Sequence, residues 1–203
     1  MSKMSRIHRM SWGRKALLSL LLVGAIGTVA GIGTFSAFSA TTVNPGNSFA
    51  AGTVVISDND ANAAMYTIAN AAPTVAVTRC IRVTYTGSLP STVKLYASTP
   101  IGAIGPFVDL VIDKGTMPIA TAFPNCTGFV ADAGGPIFTN TLGNFGSTRT
   151  NFTNGVQASP GVQTAWNQND TLVYRFTLTL QNNSAAAGLT SGLHDFTWEA
   201  QNQ

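Results

Sequence analysis

Alternation of apolar and polar residues is the feature that most restricts the fold of this chain. In residues 171–181, TLVYRFTLTLQ, every second side chain is apolar, and the residues between them are mostly polar. A period of two places the apolar side chains on one face of a β-strand, whereas a helix would scatter them around its axis. The stretch therefore predicts a half-buried strand. Its inward face is expected to consist of Leu172, Tyr174, Phe176, Leu178 and Leu180.

Five further segments predict an all-β domain. TVAVTRCIRVTYTG (74–87) alternates along most of its length, and LHDFTWEAQ (193–201) places Phe196, Trp198 and Ala200 on one side. Long amphipathic helices are not expected, because no segment repeats Leu, Ala, Glu and Lys at a helical period. Short strands divided by turns predict an antiparallel β-sandwich of the jelly-roll type with long loops. The other three candidate strands are AGTVVISD, TVKLYAS and PFVDLVID.

The middle of the chain gives a weaker signal. Residues 115–166 are rich in Gly, Asn, Thr and Pro and show no sustained period. Such a composition is typical of loops. We expect long loops here, with one or two short strands around Phe138 and Phe152.

The N-terminal part has the organisation of an export signal followed by an uncharged tail. Five Lys and Arg residues lie within the first fifteen positions, and no charged residue follows them until Asp58. A positive start and an apolar segment of about 15 residues predict a cleaved signal peptide, because a spanning helix needs about 20 apolar residues. We place the cut between residues 36 and 41, with an uncleaved membrane anchor as the alternative. The cut region is defined by Thr34, Ser36, Ala37, Ser39 and Ala40.

This cut divides the chain into a signal peptide (1–36), an N-terminal extended strand or linker (37–53) and one β-sandwich domain (54–203). Five of the 11 Lys and Arg residues lie in the leader, so the exported part has six of them against 8 Asp and Glu. Nucleic-acid binding relies on clustered Lys and Arg, so no nucleic-acid partner is expected. A signal peptidase is the expected partner during export.

Both cysteines, Cys80 and Cys126, lie in the exported part. Disulfides form and persist in oxidising compartments, so a single disulfide between these two residues is predicted. Two buried, unpaired thiols are the alternative. Together with the leader, the pair predicts a secreted protein at the extracellular cell surface.

Residues that could support catalysis or metal binding are sparse in the exported part. Its only His is His194 and its only Glu is Glu199. A zinc peptidase needs two His one helical turn apart and a Glu base, and a serine nucleophile needs a His base within reach. We therefore expect no enzymatic activity, cofactor or metal site, and an exposed strand position for His194. Asp109 and Asp113 are expected on a solvated face.

The run SDNDANA (57–63) places Asp58, Asp60 and Asn62 at alternating positions, as at the start of a calcium loop. The EF-hand pattern then requires Gly at its sixth position and Glu at its twelfth, and this chain has Ala63 and Ala69 there. The run therefore predicts a polar turn after a strand, with calcium binding at a less regular site as the alternative.

The leader and the residues after it resemble the TasA/camelysin family of exported proteins, whose leaders are cut by a SipW-type signal peptidase. GTFSAFSATT leads into NSFAAGTVVISDND, which is similar to the family's N-x-F-x-A-G-T element with alternating apolar residues after it. The turn GSL (87–89) and the closing GLHDFTWEAQ are also similar to family segments, although Tyr85 stands where the family has Asn. The matching residues of the first element are Asn47, Phe49, Ala51, Gly52, Thr53, Val54 and Ile56.

The resemblance implies a jelly-roll domain that forms biofilm-matrix or pilus-like fibres, in which the freed N-terminal segment of one subunit adds a strand to the next. The chain itself is then the main partner, with an anchor or accessory matrix protein as a further one. A donated strand pairs through backbone hydrogen bonds and needs few side-chain anchors. The alternatives are a surface adhesin using an exposed aromatic such as Trp166, and a camelysin-like metallopeptidase. The expected anchors of the donated strand are Phe38, Thr42, Val43 and Phe49.

Overall fold

The structure is a computed structural model that describes residues 12–13, 16–17 and 50–202. The chain divides into two units, Met1–Ala50 and Ala51–Gln203. The predicted cut region and the expected anchors Phe38, Thr42, Val43 and Phe49 lie outside the described residues. No helix in the described part has both the length and the apolar character needed to cross a membrane.

The described residues form nine strands in two antiparallel sheets. They are β1 (Ile56–Asp58), β2 (Ala76–Tyr85), β3 (Ser91–Ala97), β4 (Val108–Thr116), β5 (Val130–Ala131), β6 (Phe138–Thr141), β7 (Val156–Gln157), β8 (Thr171–Leu180) and β9 (Phe196–Asn202). The larger sheet has the order β1-β2-β8-β4, and both β5 and β6 pair with the far side of β4. The smaller sheet has the order β7-β3-β9. Helical structure in residues 50–202 is limited to α1 (Leu142–Thr148) and two 3-10 turns, Gly105–Phe107 and Ser184–Ala186.

The two sheets pack face to face around one apolar core. Ring contacts join β8 to β9 across the sheets: Phe176 lies 4.7 Å from Phe196 and Tyr174 lies 5.4 Å from Trp198, measured between ring centroids. Aromatic pairs at such distances add to the free energy gained by burial. The predicted all-β antiparallel sandwich is confirmed, while its jelly-roll type stays a prediction.

The alternation in β8 is confirmed as the strand that the sequence predicts. Leu172, Tyr174, Phe176 and Leu178 are all buried on the inner face. Val173, on the outer face, is buried as well, because another part of the chain covers this region of the sheet. In β2 the alternation places Ile81, Val83 and Tyr85 in the core, whereas Val75 lies before the strand and is exposed.

The middle region differs in part from its prediction. The strand expected at Phe138 is present as β6, but Phe152 lies in a turn and the next strand, β7, starts at Val156. Helix α1 was not expected. Its first turn is capped by Thr141, whose side chain accepts a hydrogen bond from the Asn144 N–H at 3.1 Å, and Leu142 and Phe145 are buried. A seven-residue helix with two glycines carries almost no propensity signal, so tertiary packing determines it.

Candidate functional site

A disulfide joins Cys80, on the outer face of β2, to Cys126 in the connection between β4 and β5. The prediction of this bond is confirmed, and Cys80 is fully buried beneath it. We call residues 117–129 the flap, because they lie over the outer face of the larger sheet. Arg82 also holds the flap, since its guanidinium donates to the carbonyl oxygens of Pro118 at 2.7 Å and Ile119 at 3.2 Å. Disulfides are typical of proteins in oxidising, extracellular-type environments.

Asp113 and Arg175 form an ion pair under the flap. Arg175 Nη2 lies 2.9 Å from Asp113 Oδ2, and its guanidinium lies 4.6 Å from the ring of Phe129 in the flap. The expectation that Asp113 marks a solvated face is wrong, because the flap leaves only 8% of the residue exposed. Asp109, in contrast, is exposed as expected and accepts a hydrogen bond from Gln181. The pair attaches the flap and lies away from the smaller sheet.

The residues considered for catalysis have separate surroundings. His194 lies before β9 rather than in a strand and is half-buried, contrary to the expectation of an exposed strand residue. Its Nε2 lies 2.6 Å from the Tyr66 hydroxyl. Glu199 accepts instead from the Tyr96 hydroxyl at 2.9 Å. In the part of the chain that the structure describes, no three His, Cys, Asp or Glu side chains group closely enough to hold a metal.

The run SDNDANA is a polar turn, as predicted. Asp58 Oδ1 accepts from the Asp60 N–H at 3.1 Å, and Asp60 Oδ1 accepts from the Asn62 N–H at 2.7 Å. Partial burial raises the pKa of the Asp58 carboxyl, and this outweighs the hydrogen bond from the Asp60 N–H. The carboxylates thus satisfy local main-chain donors.

Trp166 is not an exposed aromatic. Only 1% of it is accessible, and its indole N–H donates to the carbonyl of Ala158 at 2.7 Å. Its main chain also forms a bridge with Ser91 at the edge of β3. Trp166 is therefore a packing residue, and it does not provide the ligand platform that the adhesin alternative requires.

The N-terminal end of the folded unit is fastened to the turn between β2 and β3. The N–H of Thr53 donates to Ser88 Oγ at 3.0 Å, and the N–H of Leu89 donates to the Thr53 carbonyl at 3.2 Å. A Cβ at position 52 would overlap the side chain of Leu89, so Gly52 permits this close approach. The A-G-T element and the GSL turn, far apart in sequence, therefore contact each other. We call this contact the anchor.

Tyr85, which departs from the family pattern, closes the same turn. Its side chain is fully buried, and its hydroxyl donates to the carbonyl of Leu89 and lies 2.7 Å from Ser91 Oγ. The tyrosine thus supports the turn from the core side. Sequence reasoning missed this role because it regarded Tyr85 only as an inward residue of β2.

Within residues 50–202, β9 pairs with β3 on one side only, so its other side is an open edge of the smaller sheet. The main-chain groups of Ser91 and Ala97 in β3 bond on the side away from β9, to Trp166 and Arg149. Antiparallel neighbours alternate between bonded and non-bonded pairs, so the residues between them bond to β9. Their partners are Gln201, Glu199 and Thr197. The main-chain groups of the remaining β9 residues therefore point away from β3. These residues are Phe196, Trp198, Ala200 and Asn202, and no described residue bonds to their N–H groups.

Two buried polar atoms lie close to this open edge. Trp198 belongs to β9 itself, and Tyr174 packs against its ring from the opposite sheet. The indole N–H and the Tyr174 hydroxyl are both buried, and neither has a hydrogen bond of acceptable geometry within the described residues. Burial raises the pKa of Tyr174, and the nearby indole N–H opposes this shift only in part. Unpaired buried polar groups are unfavourable, so this pair costs stability in the described domain.

No family model matches this chain, and no curated protein matches it. The family resemblance therefore stays a prediction. The anchor, the open edge of β9 and the disulfide are the features from which a function has to be argued.

Proposed function

We propose that this chain is a secreted structural protein of the cell surface, a subunit of biofilm-matrix or pilus-like fibres. In this proposal residues 37–49 of one subunit add a strand to the open edge of β9 in the next. Head-to-tail addition that does not close on itself produces filaments. The observation that carries the proposal is the open edge of β9, where four main-chain N–H groups have no partner among the described residues.

The length of β9 distinguishes it from the other sheet edges. β1 has 3 residues, β5 and β7 have 2 each, and β6 has 4, whereas β9 has 7. Natural sheets usually protect long edges by covering them or by placing charges and prolines there, because an open edge is a template for pairing. Glu199, the charged residue of β9, is engaged by the Tyr96 hydroxyl of the neighbouring strand. The β9 edge is thus the described edge best suited to receive a strand.

The N-terminal tail has the properties that such pairing requires. Residues 37–49, AFSATTVNPGNSF, carry no charge and include β-branched and aromatic side chains. An extended chain rises about 3.3 Å per residue, so thirteen residues span roughly 43 Å. Pairing along β9 needs about 23 Å of that length by the same rise. The remaining length, roughly 20 Å, is available to connect the anchor of one subunit to its neighbour.

The anchor supports the proposal because it fixes where the tail leaves the domain. Thr53 and Val55 bond through their main chains to the turn before β3, and Ala50, three residues before Thr53, is exposed. Tension on a donated strand would act directly on these bonds. A fibre subunit needs such an attachment, whereas a monomeric binding module does not.

The test begins with the secreted protein itself. N-terminal sequencing should give a first residue between 37 and 41, and negative-stain electron microscopy of the same sample should show filaments. Ala200→Pro removes a free N–H from the outer side of β9 without removing a bond to β3, so it should abolish filaments while the protein stays folded. Ala200→Ser keeps the N–H and should assemble normally. Secreted protein that stays monomeric at high concentration, or filaments that persist in Ala200→Pro, would overturn the proposal.

A further inference from the structure

The connection between β1 and β2 contains a loosely attached segment beside the open edge. Residues 64–73, AMYTIANAAP, are exposed except for the half-buried Met65 and Tyr66. We call this segment the strap. Among the described residues, the strap has one side-chain hydrogen bond to the rest of the protein, between the Tyr66 hydroxyl and His194 Nε2 at 2.6 Å, and one local turn bond, from the Val75 N–H to the Ala72 carbonyl at 3.4 Å.

Both ends of the strap are fixed more firmly than its middle. Before it, the Arg82 N–H donates to the side chain of Asn59 at 2.8 Å. After it, the Thr74 N–H donates to the carbonyl of Leu180 at 2.8 Å. The ends therefore stay attached to the larger sheet when the middle moves. Segments with few buried contacts and few hydrogen bonds open at low free-energy cost.

Tyr66 places the strap at the start of β9. Its ring lies edge-on to Phe196, with centroids 6.4 Å apart, and 5.7 Å from the ring of His194. Met65 and Tyr66 both pack against the core, as does Ile56 of β1. These side chains close the gap between the β1 side of the larger sheet and β9. Tyr66 therefore contacts the first residue of β9, at the end of the edge that an added strand would have to cover.

We propose that the strap is an autoinhibitory element that closes the Phe196 end of the β9 edge in the isolated subunit and swings away when a strand is added. This inference rests on the proposed function and adds a control step to it. Opening breaks one hydrogen bond and exposes two side chains, whereas an added strand forms a ladder of main-chain hydrogen bonds. The strap therefore slows addition of stray strands to the subunit and yields to a strand that pairs along the whole edge.

The experiment compares single hydroxyl deletions in the full secreted chain, held at a concentration where it is monomeric. Tyr66→Phe removes the bond to His194 and keeps the ring, so the fold is preserved. Tyr96→Phe is the matched control, since it removes a tyrosine hydroxyl bonded to Glu199 of β9, on the other face. The probe is a labelled synthetic peptide of residues 37–49, and hydrogen exchange follows residues 64–73 in parallel.

Tyr66→Phe should speed both peptide association and amide exchange in the strap by roughly fivefold, the effect of losing one hydrogen bond. Tyr96→Phe should leave both rates unchanged. If the peptide binds wild type and Tyr66→Phe at the same rate, the strap is not a gate, while the proposed function stands. If the peptide binds none of the three proteins although the strap exchanges faster in Tyr66→Phe, the proposed function itself fails and the gate with it.

Discussion

Removing the disulfide is the perturbation whose effect can be worked out most directly from the structure. The bond joins residues 46 apart in sequence. In the chain-entropy model, a loop of that length lowers the entropy of the unfolded chain enough to stabilise the fold by about 4 kcal/mol at 25 °C. The flap also keeps the Arg82 hydrogen bonds and the Arg175–Phe129 contact in the native state. The double variant Cys80→Ala, Cys126→Ala should therefore fold correctly and lose stability mainly through its less restricted unfolded state.

Urea unfolding measures this loss. We expect the free energy of unfolding to fall by about 4 kcal/mol and the melting temperature to fall by roughly 8–16 °C, from the usual 2–4 °C per kcal/mol for a domain of this size. Reductant should destabilise the wild-type protein to the same level and leave the double variant unchanged, which separates the bond from the side chains. A loss of unfolding free energy below about 1 kcal/mol would refute the reasoning. It would mean that residual structure limits the conformations of the unfolded chain even when the disulfide is absent.

Three further outcomes are expected. Thr141→Ala removes the cap of α1 and should lower the free energy of unfolding by about 1 kcal/mol in urea titrations, whereas Thr141→Ser should not. Trp166→Phe leaves the buried Ala158 carbonyl without its donor and should lower the free energy of unfolding by about 1–3 kcal/mol. An unchanged free energy of unfolding would mean that water replaces the lost donor. Burial raises the pKa of Tyr174 and Tyr66 in the folded protein. The unfolded chain therefore loses these protons at lower pH, and the free energy of unfolding should fall as pH rises above about 10. Tyr174→Phe should reduce that alkaline loss in pH-dependent melting curves, and an equal loss in both proteins would contradict it.

The strands were predictable where one face of the sheet packs on the core and the other face is more exposed. In β8, β2 and β9 the inward residues follow from a period of two, since each strand has a core face and a more exposed face. Val173 and Asp113 did not follow this rule because the flap covers the outer face above them. Nothing in the local pattern around either residue indicates that a remote loop returns to this place. Cys80 and Cys126 were the only sequence signal that the flap packs on the sheet, and they located a single contact between the two.

The site was predictable only in its sequence elements. The A-G-T and GSL segments are each recognisable in the sequence. Their contact through Thr53 and Ser88 is a tertiary contact, which no local sequence pattern predicts. His194 was expected in a strand because residues 193–201 alternate, but β9 begins only at Phe196. The Tyr66–His194 bond joins residues 128 apart in sequence, and this distance explains why sequence reasoning did not find the strap.

The two sides of the sandwich are held together in very different ways, and this contrast bears on function. On the outer face of the larger sheet, a disulfide, the contact of Arg175 with Phe129 and the Arg82 hydrogen bonds fix the flap. Beside β9, one side-chain hydrogen bond, between Tyr66 and His194, holds the strap, and four main-chain N–H groups of β9 have no partner in the described chain. The proposed fibre subunit, which would have to persist outside the cell and still accept a neighbour, needs both properties. The cross-linked flap stabilises the part of the fold that does not change. The weakly attached strap lies where, in the proposal, a strand is added. Amide hydrogen exchange should therefore be slowest in the disulfide-linked part of β2 and fastest in residues 64–73.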